Sequence, residues 1–205
     1  MAILDDIPSG IDLRDPHDAR TWADEAESRP WRPRVRSQIA TLVRLLPRVL
    51  ELGPGPGLLA AEALTSTAIT SYTLFDFSPP FLAMCRERLA SDSRVRYVLG
   101  DFTQPFPAFD DAPFDAVIAM QAVHEVRHKR HVPALYRRVL DVLRPGGLLA
   151  ICDHVPREDD KSRALHSTLA EQRAAMEAAG FTAVETLIDD PLMYLCCARP
   201  PAGHK

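Results

Sequence analysis

Residues 49–57 of the 205-residue chain read VLELGPGPG and join a short apolar segment to a loop in which every second residue is glycine. The apolar segment, 48–52, predicts a β-strand, and the apolar spacing of residues 58–64 predicts a helix after the loop. Open α/β sheets bind ligands at the carboxyl ends of such strands. Gly53, Gly55 and Gly57 let the backbone approach a bound molecule closely, and the next helix offers unpaired N–H groups. The stretch therefore predicts a ligand-binding loop.

The alternation of apolar strand and amphipathic helix continues along the chain. Further strands are predicted at 71–76, 95–101, 114–121 and 146–153, and further helices at 80–90 and 132–143. The segment LRPGG, 143–147, predicts a helix stop and a turn before the fifth strand. Continuous apolar strands separated by helices indicate parallel strands covered on both faces. The pattern therefore predicts a doubly wound, mostly parallel α/β sheet.

The carboxyl-terminal part of the chain departs from this alternation. A helix is predicted at 162–179, closed by Gly180, and two strands follow at 181–188 and 192–198. The connection between these strands is too short for a parallel crossover but suits an antiparallel hairpin. We therefore predict a seven-stranded sheet that ends in a C-terminal antiparallel hairpin.

The segment before the first strand is predicted to be a separate structural part. Residues 1–45 are expected to form an N-terminal helical cap over the site, and residues 46–205 to form the core as one compact unit. Trp22, Trp31 and Arg34 of the cap are candidates for substrate contact, or equally for core anchors and a solvated charge. The acidic start MAILDDIPSGIDLRD is not typical of a secretory signal, so a cytoplasmic location is expected.

Composition argues against nucleic acid and membranes as partners. The formal net charge is -4 at pH 7, whereas phosphate neutralisation needs clustered Lys and Arg. Two local basic stretches, 32–36 and 127–130, are expected to be solvated helix faces. No apolar run approaches the roughly 20 residues of a membrane span. The four cysteines form no CxxC pair and are expected to be reduced, buried thiols.

The glycine loop differs from the loops that hold dinucleotides. Its spacing is GxGxG, and Leu58 stands where the GxGxxG pattern has its last glycine. Pro54 and Pro56 also remove two backbone N–H donors that a pyrophosphate would use. A dinucleotide-dependent oxidoreductase is therefore disfavoured, and a ligand without phosphate fits the loop better.

An acidic residue followed by Gly-x-Gly-x-Gly after a first strand resembles the first motif of class I S-adenosylmethionine-dependent methyltransferases. A parallel sheet that ends in an antiparallel hairpin is similar to the fold of that family. The resemblance covers about residues 48–198 and implies S-adenosylmethionine as the cofactor. It also implies that Glu51 helps to hold the methionine ammonium group, directly or through water.

Two further acidic residues follow strands at the same edge of the sheet. Asp76 comes 19 residues after Gly57, where a carboxylate can accept hydrogen bonds from both ribose hydroxyls, and Phe77 beside it is assigned to the same site. The resemblance implies that Asp101 binds the adenine amino group and that Phe102 packs on the ring. The alternatives are a turn former or helix cap for Asp76 and a loop carboxylate for Asp101.

The segment after the fourth strand contains two competing patterns. His124, Glu125 and His128 have the HExxH spacing of zinc proteases, which on a helix would place both imidazoles on one face. The resemblance instead implies that Gln121 lies beside the cofactor and that His124 points toward the methyl group. His124 would then act as the base, or only pack against the site, and Glu125 would orient it or bind a cationic acceptor.

The sequence therefore predicts a methyltransferase that moves the methyl group of S-adenosylmethionine to an O, N or S atom of a small-molecule acceptor. The segment between Asp153 and Leu165 is the part of the core that could shape an acceptor pocket. No metal site is predicted. The alternatives are a non-catalytic domain that binds S-adenosylmethionine for regulation or scaffolding, and a zinc hydrolase that uses the HEVRH segment.

Overall fold

The computed structural model describes residues 5–204, so the first four residues of the predicted cap and Lys205 of the predicted core lie outside the described residues. Its strands are β1 Arg48–Leu52, β2 Ser71–Asp76, β3 Val95–Leu99, β4 Phe114–Met120, β5 Leu143–His154, β6 Thr182–Asp189 and β7 Met193–Arg199. They form one sheet in the order β3-β2-β1-β4-β5-β7-β6. Strands β1 to β5 are parallel to one another, and β7 is antiparallel to both β5 and β6. The predicted fold class is confirmed.

Helices cover both faces of this sheet. They are α1 Pro16–Glu27, α2 Arg32–Val43, α3 Leu58–Ala63, α4 Pro79–Leu89, α5 Val132–Val142, α6 Asp160–Leu165 and α7 Leu169–Ala178. Every residue of β2 and β4 is buried, as expected for strands that are covered on both sides. One apolar core lies between the sheet and α2, α3 and α4, and a second lies between the sheet and α5 and α7.

The predicted helix at 162–179 is wrong in one respect, because the chain forms two helices there. Helix α6 ends at Leu165, and α7 begins after Thr168. The Thr168 hydroxyl accepts a hydrogen bond from the Glu171 N–H, while the Glu171 carboxylate accepts one from the Thr168 N–H. This capping box satisfies backbone donors at a new helix start. His166 therefore lies in a bend rather than on a helix.

The predicted turn at 143–147 is instead part of β5. Leu143 pairs with Phe114, the register then shifts, and Leu148 pairs with Ala116. Gly146 takes up the irregularity with a left-handed φ of 71°. The predicted helix stop is confirmed, because α5 ends at Val142, but an irregular stretch of β5 takes the place of the predicted turn.

Helices α1 and α2 lie near the carboxyl ends of the central strands. Helix α2 packs mainly against α3, and α1 packs against α4. A small apolar cluster joins α1 to α4 and contains Leu13, Ala19, Ala23, Phe81 and Met84, whereas α2 packs into the large core on its side of the sheet. All four cysteines are free and buried, as predicted. None of the helices among residues 5–204 is both long and apolar enough to cross a membrane.

Candidate active site

A cavity lies at the carboxyl ends of β1, β2 and β4. Its walls include all the predicted site residues except Gly57 and Asp101, namely Glu51, Gly53, Gly55, Asp76, Phe77, Phe102, Gln121, His124 and Glu125. Helices α1 and α2 contribute Trp22, Glu27, Arg32 and Arg36. Residues that are distant in sequence therefore meet at one edge of the sheet, as a parallel α/β fold requires.

The glycine loop is shaped by close packing as well as by its turn. Gly53 has a φ of 65°, and a Cβ atom on it would lie 2.4 Å from the Cβ atom of Ala122. Gly57 has a φ of 78° and lies behind the loop, where a Cβ atom would be 2.9 Å from the Cys85 sulfur. A side chain at either position would strain the backbone and collide with a neighbour. Gly55, in contrast, borders the cavity beneath the Trp22 ring.

Glu51 is a buried acid with a strongly perturbed pKa. Its side chain is 2% exposed, and its carboxylate accepts a hydrogen bond of 2.7 Å from the Tyr72 hydroxyl. Burial raises its pKa to about 8, and the nearby charge of Asp76 adds to the rise. Glu51 is therefore largely protonated at pH 7, and a cation beside it would favour its ionised form.

Asp76 is likewise buried at the cavity wall. Burial raises its pKa to about 7, although N–H groups of Ser78, Gly55 and Phe77 oppose the rise. Its Oδ1 accepts a hydrogen bond of 2.9 Å from the Ser78 N–H. The cap of α4 is Ser78 and not Asp76, because the Ser78 hydroxyl accepts from the Phe81 N–H. Asp76 therefore forms a turn, which was one of the alternatives for it, and it also lines the cavity.

Asp101 faces a neighbouring cleft and not the main cavity. It is half-buried, and its Oδ1 accepts a hydrogen bond of 2.8 Å from the Thr103 N–H. Phe77 and Phe102 line both the cavity and this cleft. Asp101 thus forms the turn expected of a loop carboxylate. Phe77 and Phe102, which line both spaces, separate it from the cavity that contains Glu51 and Asp76.

The segment after β4 holds His124 in a fixed orientation. Residues Val123–Val126 form a 3-10 helix, and Asp153 at the end of β5 accepts hydrogen bonds from both the backbone N–H and the ring Nδ1 of His124, at 3.0 and 2.8 Å. Because a carboxylate only accepts, this contact assigns the Nδ1 proton to His124. Burial is the largest influence and opposes the charged imidazole, but the charge of Asp153, its hydrogen bond and the charge of Glu125 together raise the pKa of His124.

The HExxH spacing does not form a helical zinc site here. The 3-10 helix ends at Val126, and Arg127 adopts a left-handed φ of 66°. His128 then caps a second 3-10 helix, Lys129–His131, where its Nδ1 accepts from the Arg130 N–H. The single helical face that the motif needs is therefore broken between the two histidines.

Two histidines that the sequence analysis did not single out lie beside His124. The ring centroids of His166 and His154 are 4.8 and 5.7 Å from that of His124. Burial lowers the pKa of both rings to about 4, so both are neutral at pH 7. Asp153 had a signal in the sequence, since it ends a strand at the same edge as Asp76. His166 had none, because the predicted helix ran through it.

The expectation of a solvated basic face at residues 32–36 is wrong for Arg32 and Arg36. Arg32 is 7% exposed, and its guanidinium donates a hydrogen bond of 2.6 Å to the Gln121 side chain. Arg36 is paired with Glu27 and Glu62. Of the three arginines in this stretch, only Arg34 is exposed.

The second basic stretch, 127–130, is also held by partners instead of lying on a solvated helix face. Arg127 pairs with Glu125, Lys129 pairs with Glu171, and Arg130 pairs with Asp6. These residues lie in and between two 3-10 helices. The stretch therefore secures the segment that carries His124.

Comparison with known proteins agrees with the fold. Residues 49–147 match a family model described as a methyltransferase domain. The chain is 31% identical over 133 residues to the "Probable phthiotriol/phenolphthiotriol dimycocerosates methyltransferase 2" of Mycobacterium ulcerans (strain Agy99), which covers 65% of this chain and 46% of that protein. The chain spans less than half the length of the curated relatives that it matches.

Two solved structures illustrate the fold. Human N-acetylserotonin methyltransferase in complex with S-adenosylmethionine has a TM-score of 0.72 at 19% identity, covering 93% of this chain and 58% of the other. The [4+2]-cyclase SpnF has a TM-score of 0.66 at 21% identity, covering 82% of this chain and 81% of the other. The fold and the cavity define a protein of the α/β class with a pocket at the carboxyl edge of a parallel sheet. The chain is similar to S-adenosylmethionine-dependent methyltransferases in its matched domain and in its fold.

Proposed function

We propose that this protein transfers the methyl group of S-adenosylmethionine to an O, N or S atom of a small-molecule acceptor. The observation that carries the proposal is the pairing of His124 with Asp153 at the wall of a cavity that also contains Glu51 and Asp76. Two buried carboxylates suit a cationic, ribose-containing ligand, and an oriented imidazole suits proton removal from an acceptor.

Each part of the cofactor has a candidate partner. Glu51 would hold the methionine ammonium group, and Asp76 would accept hydrogen bonds from the ribose hydroxyls. Asp101 and Phe102, supported by Phe77, would hold the adenine in the cleft that adjoins the cavity. The glycine loop would press against the methionine portion through Gly53 and Gly55, with Gly57 setting the start of α3 and Gln121 bordering the same space.

His124 would act as the base of the reaction. Its Nδ1–H is held by Asp153, which leaves the lone pair of Nε2 to take a proton. The acceptor atom would attack the sulfonium methyl group in line, the sulfur would keep the electron pair of the broken C–S bond, and S-adenosylhomocysteine would leave. Glu125, whose Oε1 lies 3.5 Å from the His124 Nε2, would orient the ring or bind a cationic acceptor.

The part of the chain before β1 would serve as a cap over the site. This is the division predicted from the sequence, with residues 1–45 as the cap and residues 46–205 as the core. Helix α2 reaches the floor of the cavity through the bond from Arg32 to Gln121, and α1 brings Trp22 over Gly55. An acceptor would then lie between the cap and the residues that follow β5. A small molecule suits such a covered site better than a nucleic acid does, and the cytoplasmic location stays a prediction.

A second candidate is a family member that binds the cofactor without methyl transfer. The similarity to the structure of a [4+2]-cyclase favours keeping it, because the shared fold then serves a different reaction. Such a protein would bind S-adenosylmethionine through the same carboxylates but would need no base at His124.

Calorimetric titration with S-adenosylmethionine and S-adenosylhomocysteine tests the cofactor site. Wild-type protein is expected to bind both in the micromolar range, Asp76→Asn to lose at least tenfold in affinity, and the exposed matched control Asp141→Asn to bind like wild type. NAD should not bind. Equal affinities for the two variants would contradict the role given to Asp76.

Turnover then separates the two candidates. Protein with labelled S-adenosylmethionine is incubated with a panel of phenols, alcohols, amines and thiols, and label in the products is counted. His124→Gln is expected to bind S-adenosylhomocysteine like wild type but to lose about 100-fold or more in rate. Binding without labelled product from any acceptor class would favour the non-methylating candidate.

A further inference from the structure

Three side chains with metal-ligand chemistry meet beside the cavity, and each comes from a different element. His124 follows β4, Asp153 is near the end of β5, and His166 lies in the bend between α6 and α7. Each offers one ligand atom, and these atoms all lie within 4.8 Å of one another. We propose that His124, Asp153 and His166 bind one divalent transition-metal ion. Only His124 of this site belongs to the HExxH spacing or to the segments that carry the family resemblance, and Asp153 and His166 lie outside both.

The donor set suits a borderline transition metal. Two imidazoles and one carboxylate are ligands that Zn²⁺ and similar first-row ions accept, whereas Mg²⁺ and Ca²⁺ prefer oxygen alone. Three protein ligands also leave a coordination position open, which is typical of catalytic and not of structural sites. At bond lengths near 2.1 Å, tetrahedral ligand atoms stand about 3.4 Å apart, so the widest gap must close by roughly 1.4 Å. Rotation of the His166 side chain, which lies in the bend between α6 and α7, would have to supply this closure.

His166 has an unsatisfied atom that a metal bond would satisfy. Its Nδ1 is buried and has no hydrogen-bond partner among the described residues. A buried polar atom without a partner costs about 1–3 kcal/mol, and such atoms are uncommon in folded proteins. Coordination by Nδ1 would remove that cost.

Asp153 is oriented before any ion arrives. Its carboxylate accepts hydrogen bonds from the backbone N–H groups of His124 and His154, at 3.0 and 2.8 Å, in addition to the bond from the His124 ring. Outer hydrogen bonds of this kind fix ligand direction in metal sites. An ion at the cluster would replace the Nδ1 proton that His124 donates to Asp153.

The open position gives the ion a role that rests on the proposed function. His124 lines the cavity assigned to the acceptor, so an oxygen atom of the acceptor could complete the coordination. A metal-bound hydroxyl is more acidic and would lose its proton to water. His124 would then be a ligand and not a base, so the metal-loaded and metal-free forms would activate the acceptor by different routes.

The test is titration of tag-free, chelator-treated protein with Co²⁺, followed by visible absorption of the bound ion. One Co²⁺ per chain is expected, together with a loss of at least 10- to 100-fold in affinity for His166→Ala and for the milder His166→Gln. The exposed control His17→Ala should bind Co²⁺ like wild type. His128→Ala should also bind Co²⁺ like wild type, whereas a zinc site built on the HExxH spacing would lose its metal in this variant.

Calorimetric binding of S-adenosylhomocysteine by each variant establishes that it is folded and keeps the metal question apart from the cofactor question. Cofactor binding without a cobalt spectrum, or a spectrum that both His166 variants retain, overturns the metal site and leaves the proposed function standing. A cobalt spectrum that is lost only in the His166 variants supports the metal site even if no acceptor is methylated.

Discussion

Cofactor binding is expected to release a proton from Glu51. In the free protein, burial holds the pKa of this carboxyl at about 8. The positive methionine ammonium group favours the ionised carboxylate, so the proton must leave when the cofactor binds. The perturbation is therefore a change of pH between 6 and 8, with Glu51→Gln as the variant that cannot release this proton.

The pKa of Glu51 sets the number of protons released and the pH dependence of the dissociation constant of the cofactor. At pH 7 a group with a pKa of about 8 is roughly nine-tenths protonated, so about 0.9 proton leaves per cofactor bound through Glu51. The dissociation constant should fall about ninefold from pH 6 to pH 7 and about fivefold from pH 7 to pH 8 on account of this group. Asp76, with a pKa of about 7, adds a smaller release that Glu51→Gln retains.

The assay is calorimetric titration at pH 7 in buffers that differ in ionisation enthalpy. The slope of the observed enthalpy against the buffer enthalpy gives the number of protons released. The wild-type slope should exceed the Glu51→Gln slope by about 0.9 proton. Equal slopes would refute the argument, because Glu51 would then be ionised in the free protein or would not meet the ammonium group.

Three further outcomes are expected. The folded pKa of Glu51 is raised above 4.5, so its contribution to the stability of the cofactor-free protein is present at low pH and is lost as pH rises toward 8. In urea unfolding at pH 8, Glu51→Gln should therefore be more stable than wild type by roughly 2 kcal/mol or more. A variant less stable than wild type at pH 8 contradicts this. Gly53→Ala should lower the free energy of unfolding by about 2–4 kcal/mol, because of its left-handed φ and the 2.4 Å contact with Ala122. Gly146 also has a left-handed φ, of 71°, but has open space around it, so Gly146→Ala should lower the free energy of unfolding by only about 1 kcal/mol. Similar losses in the two variants would argue against the contact. Arg32→Met should weaken S-adenosylhomocysteine binding about tenfold in calorimetry because it breaks the bond to Gln121, and the exposed control Arg34→Met should leave it unchanged; equal effects would show that the bond is unimportant.

The sequence predicted most of the sheet because its strands are apolar without interruption. The segments 71–76 and 114–121 could be identified as buried strands from composition alone, and the short link after Ile188 required a hairpin. The acidic residues at strand ends followed from the same topology, since parallel strands bring their carboxyl ends to one edge. Glu51 and Asp76 consequently meet where the pattern placed them.

The errors arose where tertiary packing decides the outcome. The charge of Arg32 predicted a solvated face, but Trp22 and Trp31 flank its guanidinium, and Gln121 accepts its hydrogen bond. Helical spacing across residues 162–179 masked the bend at His166, although Thr168 and Glu171 carried the capping-box signal. No local pattern could have predicted that His166 and His124 meet, because their contact depends on how α6 and α7 cross the end of β5.

In the proposed complex, the cationic cofactor replaces a proton that burial keeps in the cavity of the free protein. The formal charge of -4 counts both carboxyls as ionised, although much of that negative charge is neutralised by protons when the site is free. S-adenosylmethionine carries one net positive charge and displaces about one proton, so the complex and the free protein have nearly the same net charge. Its affinity should therefore depend little on ionic strength. S-adenosylhomocysteine brings no net charge but displaces the same proton, so the product complex should migrate faster toward the anode than the complex with S-adenosylmethionine.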